Sequence, residues 1–265
     1  MTPKTLIIRT AGTNCDAELA HAFRLAGAEP VTLHLNQLLA DPAQLEAFQL
    51  IGFPGGFSYG DDIAAGRIFA NRLRHGLLQP LQAAIARGVP VIGICNGFQV
   101  LVKLGLLPDP AAAIQTTTLA DNTSGRFIDR WVPMSVNPDS PCVWTRGLVE
   151  DGTSEFELPI AHGEGRFTAP DAVLDGLEAH GQVALHYGED VNGSDRTIAG
   201  LCDPTGRVLG LMPHPERFTT ATHHPAWTRK AQAEPDWLTH TTPGLRMFQS
   251  AVESVSARES TAAPA

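Results

Sequence analysis

The sequence predicts an α/β fold with a mixed, mostly parallel central sheet and helices on both faces. Three observations lead there. Over the first 53 residues, short apolar runs alternate with helical stretches in a β-α-β-α-β rhythm, which calls for a parallel sheet covered on both sides. Val89 to Pro108, read VPVIGICNGFQVLVKLGLLP, then passes from an apolar run through a glycine-flanked turn into a mostly apolar helix. After Pro108 the pattern changes to shorter strands separated by Gly, Asp and Asn turns.

Taken in order, Thr5-Leu6-Ile7-Ile8 is a first strand with no polar face, as a strand buried on both sides requires. Ala11-Gly12-Thr13 makes a turn, and Asn14 is a suitable N-cap for a helix to about Leu25, closed by Gly27. Pro30 to Leu35 is the second strand, residues 43–48 a short helix, and Gln49 to Phe53 the third strand. Residues 67–87 read as one long helix, ended by Gly88 and Pro90. Val89-Pro90-Val91-Ile92 is the next strand, and the helix after it runs to Leu104, with Gly105 as its stop and Pro108 beyond. Segments near 127–135, 156–161, 182–187, 197–202 and 207–212 read as an antiparallel extension of the same sheet. No linker-like stretch divides them from the first half, so one domain is expected over 4–255. Ser256 to Ala265, small, polar and Pro-ended, reads as a flexible tail.

Composition narrows the function. A chain of 265 residues with 43% hydrophobic content can bury a sizeable core. Its charge is 19 − 28 = −9 with no long basic cluster, which argues against nucleic acid or an anionic membrane as a main partner. Cys15, Cys95, Cys142 and Cys202 are far apart with no CxxC pair, so neither a zinc site nor a disulfide framework is expected. With no 18-residue apolar span and no apolar leader, a cytoplasmic protein of a reducing compartment is the expectation.

The chemistry concentrates at three turns that follow strands. Gly93-Ile94-Cys95-Asn96-Gly97 has the strand–turn–helix context of a nucleophile elbow, with cysteine in the place of serine. The helix N-terminus favours an anion there, and the thiolate is the nucleophilic form. A lone cysteine in an apolar segment is also commonly plain core packing, and the two readings stand even on the elbow alone. Gln99, one helical turn from Cys95, is placed to touch whatever the thiol attacks. Pro54-Gly55-Gly56 follows the third strand and opens on the same sheet edge, where ligands of α/β sheets bind. A glycine N–H there can form half of an oxyanion hole, with the N–H of Asn96 as the second donor. Met212-Pro213-His214-Pro215-Glu216-Arg217 follows a strand too. Its prolines favour an extended backbone in which His214 and Glu216 point the same way, as base and orienting carboxylate. A solvated Pro-rich turn is the alternative. His162, in Ala161-His162-Gly163-Glu164-Gly165, is either a loop residue or part of the site.

Together these stretches resemble the class I (triad) glutamine amidotransferases, a family with a flavodoxin-like three-layer fold. GTNCD at 12–16, PGGFSYGDD at 54–62, GICNGFQVL at 93–101, PIAHGEGRF at 159–167 and GLMPHPER at 210–217 carry the resemblance. The detail is similar to the branch that supplies ammonia in purine biosynthesis. The resemblance implies Cys95 as nucleophile on the side-chain amide of glutamine, His214 as proton carrier and Glu216 as its holder. It also implies Gly55, Gly56 and Asn96 around the oxyanion, and Gln99 with the backbone near His162 around the substrate. No metal is expected on this chain, and no GxxxxGK[ST] loop is present. ATP and Mg are therefore expected on a synthetase subunit (PurL), with a small third subunit (PurS). Other elbow-type cysteine hydrolases, or a catalytically silent scaffold, are the competing readings. Phe218 to Pro243 is longer than the connection expected after HPER; Trp227 and Trp237 within it are expected either to dock on the synthetase or to fold back on this domain.

Overall fold

Apolar β-branched runs become central strands only if both faces of the sheet are covered. The computed structural model describes residues 2–262. It begins β1 (Lys4–Arg9), α1 (Asp16–Leu25), β2 (Glu29–His34), α2 (Leu35–Ala40), β3 (Leu50–Phe53), α3 (Arg67–Gly76) and α4 (Leu78–Ala86). It continues β4 (Val91–Ile94), α5 (Asn96–Leu104), β5 (Thr118–Ala120), β6 (Ile128–Val136), α6 (Arg146–Glu150), β7 (Glu155–His162), β8 (Arg166–Thr168) and α7 (Asp171–Ala179). β9 (Val183–Tyr187), β10 (Ile198–Cys202), β11 (Val208–Leu211), α8 (Trp227–Ala233) and α9 (Pro243–Ala262) complete it.

Nine strands form one sheet in the order β2-β1-β3-β4-β11-β10-β9-β6-β7. The first five are mutually parallel, and from β11 onward each step is antiparallel. The expected mixed sheet is present, with one correction. The strand at 208–211 is not part of the antiparallel extension but lies parallel against β4. All four of its residues are buried, as an interior parallel strand requires. Gly210 makes the fit, because a Cβ there would lie 2.0 Å from the Phe98 ring of α5.

The two helical layers can be read from adjacent residues of β3. Gly52 faces Leu19 and Phe23 of α1, whereas the Phe53 ring packs 6.1 Å from Phe69 of α3 on the other face. Behind α1, Phe23 meets Phe248 of α9 at 5.1 Å and Trp144 at 6.2 Å.

Other expectations are revised. The long helix over 67–87 is two helices broken at Leu77, whose φ is −128°. Pro80 has no N–H to donate to the carbonyl of Gly76, so the ladder fails there. Asn14 does not cap α1; Cys15 is the N-cap residue and has no side-chain cap bond, while Asn14 Oδ1 accepts the Cys15 thiol at 3.2 Å. The tail expected over 256–265 is helical as far as Ala262. Residues 263–265 lie outside the described residues. In the 218–243 excursion, Trp237 folds back, stacked 6.5 Å from Phe218 with Lys230 over its ring at 5.0 Å. Trp227, on α8, stays 37% exposed.

β9 and β7 run parallel to β11, two antiparallel steps apart each. The C-terminal ends of β1, β3, β4, β11 and β7 therefore share an edge. The turns leaving it hold Cys15, Gly55, Cys95 and His214, and His162 ends β7 there.

Candidate active site

The elbow is sharper than the sequence indicates. β4 ends at Ile94 and α5 begins at Asn96, so Cys95 alone makes the turn, at φ 54° and ψ −108°. A non-glycine residue is strained there, and the backbone around it must hold it in place. The Cys95 N–H donates to the Leu211 carbonyl at 2.8 Å, and its carbonyl accepts the Gln99 N–H at 3.1 Å. Both flanking glycines are obligatory. A Cβ on Gly97 would lie 2.1 Å from the Phe53 carbonyl oxygen, and one on Gly93 would lie 2.7 Å from the Gly97 carbonyl oxygen. The Cys95 thiol points toward the Ala161 carbonyl, 3.7 Å away.

Because β11 lies beside β4, the turn after it brings His214 next to the elbow. Its N–H is fixed to the Pro159 carbonyl at 2.8 Å. His214 Nδ1–H donates to Glu216 Oε1 at 2.6 Å, with both side chains buried. The pair does not align through an extended segment as expected. Pro215–Arg217 close a 3₁₀ turn that swings Glu216 back onto the ring. Burial works against a cation at His214, but the Glu216 charge and the neighbouring thiols of Cys15 and Cys95 outweigh it and hold its pKa well above the usual histidine value. Nε2 of His214 makes no hydrogen bond within normal geometry among the described residues, and the thiols are its neighbours. It is the nitrogen left to exchange a proton with the thiol.

A cavity of about 510 Å³ opens beside the thiol, lined in part by Gly56, Cys95, Gln99, Ala161, His162 and Glu164. Gly56, at φ 139°, bridges Thr13 in antiparallel fashion. The bridge bonds run from Asn14 N–H to the Gly55 carbonyl and from Phe57 N–H to the Gly12 carbonyl, which leaves the Gly56 N–H outside the pairing. Gly55 is a packing necessity, since a Cβ there would lie 2.9 Å from His214 Cε1 and 3.2 Å from Cys15 Sγ. The Asn96 side chain is turned away from the cavity mouth. Its amide donates to Asp61 and Gln99, and its oxygen accepts the Ser58 N–H, so its backbone N–H is the group available at the helix start. Gln99 is held by the Glu164 carbonyl.

His162 ends β7 at the cavity wall with its Nδ1 3.1 Å from Asn122 Oδ1. Burial, reinforced by the charge on His214, pushes its pKa down to about 4, so it is neutral at pH 7. Gly165 packs on the ring, where a Cβ would sit 2.2 Å from Nδ1.

Of the eight sequence-predicted residues, Gly56, Cys95, Gln99 and His162 line this cavity, while His214 and Glu216 pair behind it, Gly55 packs against His214, and Asn96 starts the helix at the elbow. Two further residues were missed. Asn122 is buried and ties the loop together, donating to the His162 carbonyl at 2.8 Å and to the Arg126 carbonyl at 2.9 Å; the only signal was its place in a DNTSG turn. Cys15, 1% exposed, stands against the back of the His214–Glu216 pair and receives the Arg217 guanidinium at 3.0 Å. In the sequence it is only one of four scattered cysteines. Cys15, His214 and Glu216 offer ligand atoms within 4.8 Å of one another. Their chemistry does not fit a metal: the sulfur already faces a guanidinium cation, and His214 and Glu216 satisfy each other.

Residues 2–255 match the model of the CobB/CobQ-like glutamine amidotransferase domain. The chain is 44% identical over 257 residues to the phosphoribosylformylglycinamidine synthase subunit PurQ of Dehalococcoides mccartyi, covering 94% of this chain and 96% of that one. It is 39% identical to the PurQ subunit of Mycobacterium bovis, covering 96% and 99%. Among solved structures, a chain of PurLQS from Thermotoga maritima superposes with a TM-score of 0.72 at 33% identity, covering 96% of this chain and 99% of that chain.

Proposed function

The chain belongs to the CobB/CobQ-like glutamine amidotransferase family, and from that premise we propose that it is the glutaminase subunit of a phosphoribosylformylglycinamidine synthase. The observation that carries the proposal is the meeting of Cys95, at a one-residue elbow, with the buried His214–Glu216 pair beside a cavity of about 510 Å³.

The chemistry follows from that arrangement. His214 Nε2 takes the Cys95 proton, and the thiolate attacks the side-chain carbonyl of glutamine. The oxygen that becomes negative is met by the N–H groups of Gly56 and Asn96. The imidazolium, stabilised by Glu216, gives its proton to the nitrogen of the tetrahedral adduct, whose C–N bond breaks to release ammonia and leave a γ-glutamyl thioester. Water then attacks the thioester, with His214 as base, releasing glutamate and restoring the thiol. Gln99, Glu164 and His162 shape the substrate's surroundings. A neutral His162 matters there, because a second cation would oppose the charge on His214.

Ammonia explains a partner. An amine as basic as lysine, pKa ~10, is mostly protonated in water at pH 7 and then is no nucleophile. It must reach its acceptor without equilibrating with solvent. The relatives are PurQ subunits, and the similar solved chain comes from a PurLQS assembly. We place this chain in the same arrangement: a PurL-type subunit uses ATP and Mg to convert formylglycinamide ribonucleotide to formylglycinamidine ribonucleotide with the ammonia made here, and a PurS-type subunit completes the complex. No helix among the described residues is long and apolar enough to cross a membrane. A reduced thiol nucleophile and a nucleotide acceptor suit the cytoplasm. The test is glutamine hydrolysis with and without the synthetase subunit. Stimulation by the partner, with glutamine-dependent amidation by the complex, is expected; a partner-independent rate with no amidation would leave a free-standing cysteine hydrolase instead.

A further inference from the structure

A second cavity, of about 310 Å³, lies beyond Glu164 on the far side from the thiol. Arg67 and Arg74 of α3 line it, seven residues apart and so on one helix face, with Asn71 between them. Lys103, in the last turn of α5, faces them. Arg9, Arg130, Arg196, Lys230 and Arg246 all form ion pairs within 4 Å. Among the described residues, Arg67, Arg74 and Lys103 form none. Arg74 donates one N–H to the Lys103 carbonyl at 2.7 Å, which holds the two residues together without neutralising either. Burial lowers the Lys103 pKa; Glu164 opposes the shift and Arg67 reinforces it. Thr118 also lines the cavity and carries a hydroxyl, which the Gln115 amide holds at 3.3 Å while donating to the Thr117 carbonyl at 3.1 Å.

Arg67, Arg74 and Lys103 converge with the Thr118 hydroxyl on one concave surface whose only carboxylate among the described residues is Glu164, so positive charge is in excess and the surface suits a compact anion. We propose that this cavity binds a phosphate group, free or as the monoester of a small metabolite. Two guanidinium groups on one helix face suit the several oxygens of a phosphate, and Lys103 supplies a point charge behind them. The cavity communicates with the thiol site through one residue. Glu164 lines both cavities, its carbonyl holds Gln99, and its carboxylate holds the Ala65 N–H at 3.2 Å. An anion that draws Lys103 away from Glu164 leaves that carboxylate less screened beside the substrate. This coupling rests on the glutaminase reading; the binding itself does not.

The experiment is isothermal calorimetry on the full chain at constant ionic strength, with inorganic phosphate and ribose 5-phosphate as probes and chloride as the control. Saturable binding of one probe per chain is expected, weakened about tenfold in Arg67→Gln/Arg74→Gln and in Lys103→Gln. Tighter binding of ribose 5-phosphate assigns a monoester, and equal binding assigns the free anion. No saturable heat up to ~10 mM of either probe, or binding unchanged in both variants, would overturn the site. In the assembled complex, the bound anion should shift the KM for glutamine in the native chain and not in Arg67→Gln/Arg74→Gln. Binding without that shift would sink the coupling through Glu164.

Discussion

Cys15 and Cys95 occupy equivalent places in the fold. Each is the N-cap residue of a helix that follows a parallel strand, each is nearly inaccessible, and both thiols reach the His214 imidazole. A helix N-terminus beside a histidine is therefore not what makes one of them a nucleophile. The difference lies in the backbone and in what stands on the sulfur. Cys95 is held at φ 54°, lines the cavity of about 510 Å³, and has a weak carbonyl contact at 3.7 Å as its partner. Cys15 has φ −103°, is bonded to Asn14, and has the Arg217 guanidinium 3.0 Å from its sulfur, away from that cavity. One thiol faces substrate; the other is walled in and braces the histidine from behind.

The largest effect separates the two directly. Cys95→Ala should lower glutamine hydrolysis by about 10⁴-fold or more, while leaving ammonia-dependent synthesis by the complex intact. Residual glutamine turnover near the native rate would show that the assignment of the two cysteines is reversed or wrong. Next come His214, which both thiols reach, and the carboxylate that holds it. His214→Ala should approach the loss of Cys95→Ala, and Glu216→Ala should lose less, about 10²–10⁴-fold, because the carboxylate orients and stabilises without itself carrying the proton. A larger loss for Glu216 than for His214 in steady-state glutaminase assays would contradict those roles.

Gly55 is the point where the two regions meet. A methyl group there would lie 2.9 Å from His214 Cε1, 3.2 Å from Cys15 Sγ and 3.5 Å from Cys95 Cβ. Gly55→Ala should destabilise the fold by about 1–3 kcal/mol in denaturant titrations and reduce kcat more than it raises KM, since it displaces the reacting groups rather than the substrate pocket. A stable variant with native kcat would mean the crowding relaxes without disturbing His214.

Much of this contrast could be read before the structure, and the part that could not has a physical reason. The elbow was legible because Gly93 and Gly97 mark it locally, and a sharp turn depends on residues adjacent in sequence. The His214–Glu216 pair was legible as a pair, although the 3₁₀ turn that closes it was not. The parallel placement of β11 escaped detection, because an apolar run of four residues does not encode its direction. Cys15 escaped as a partner of His214 for a related reason. Its contact with Arg217 spans 202 residues and exists only once β1 and β11 are set in one sheet. Asn122 likewise acts across 40 residues, through the carbonyl and a ring nitrogen of His162 that no local pattern announces.

A glutamine-analogue electrophile sharpens the comparison further. Mass spectrometry should find it on Cys95, with Cys15, Cys142 and Cys202 unmodified, because among the four only Cys95 lines the cavity. Label mainly on Cys15 would overturn the argument from access.

The smallest effect tests what Cys15 contributes. Its sulfur accepts from Arg217, and Arg217 is half-buried beside Glu216, whose charge helps keep the guanidinium protonated. Removing the acceptor leaves a guanidinium N–H without its partner and free to turn toward Glu216, where it would compete with His214 for the carboxylate. Cys15→Ala should therefore reduce kcat by about tenfold and stability by about 1–3 kcal/mol, the range for a buried donor left unmatched. Cys15→Ser keeps a small acceptor in the same place, so it should restore most of the activity, with a stability within about 1 kcal/mol of the native chain. The pH profile distinguishes bracing from mere packing. If Arg217 intrudes on Glu216, the pKa of His214 falls toward the ordinary histidine value, and the limb of the kcat/KM profile governed by that group should move to lower pH in Cys15→Ala but not in Cys15→Ser. Equal profiles in all three proteins would reduce Cys15 to core filling and leave Glu216 alone responsible for the charge on His214.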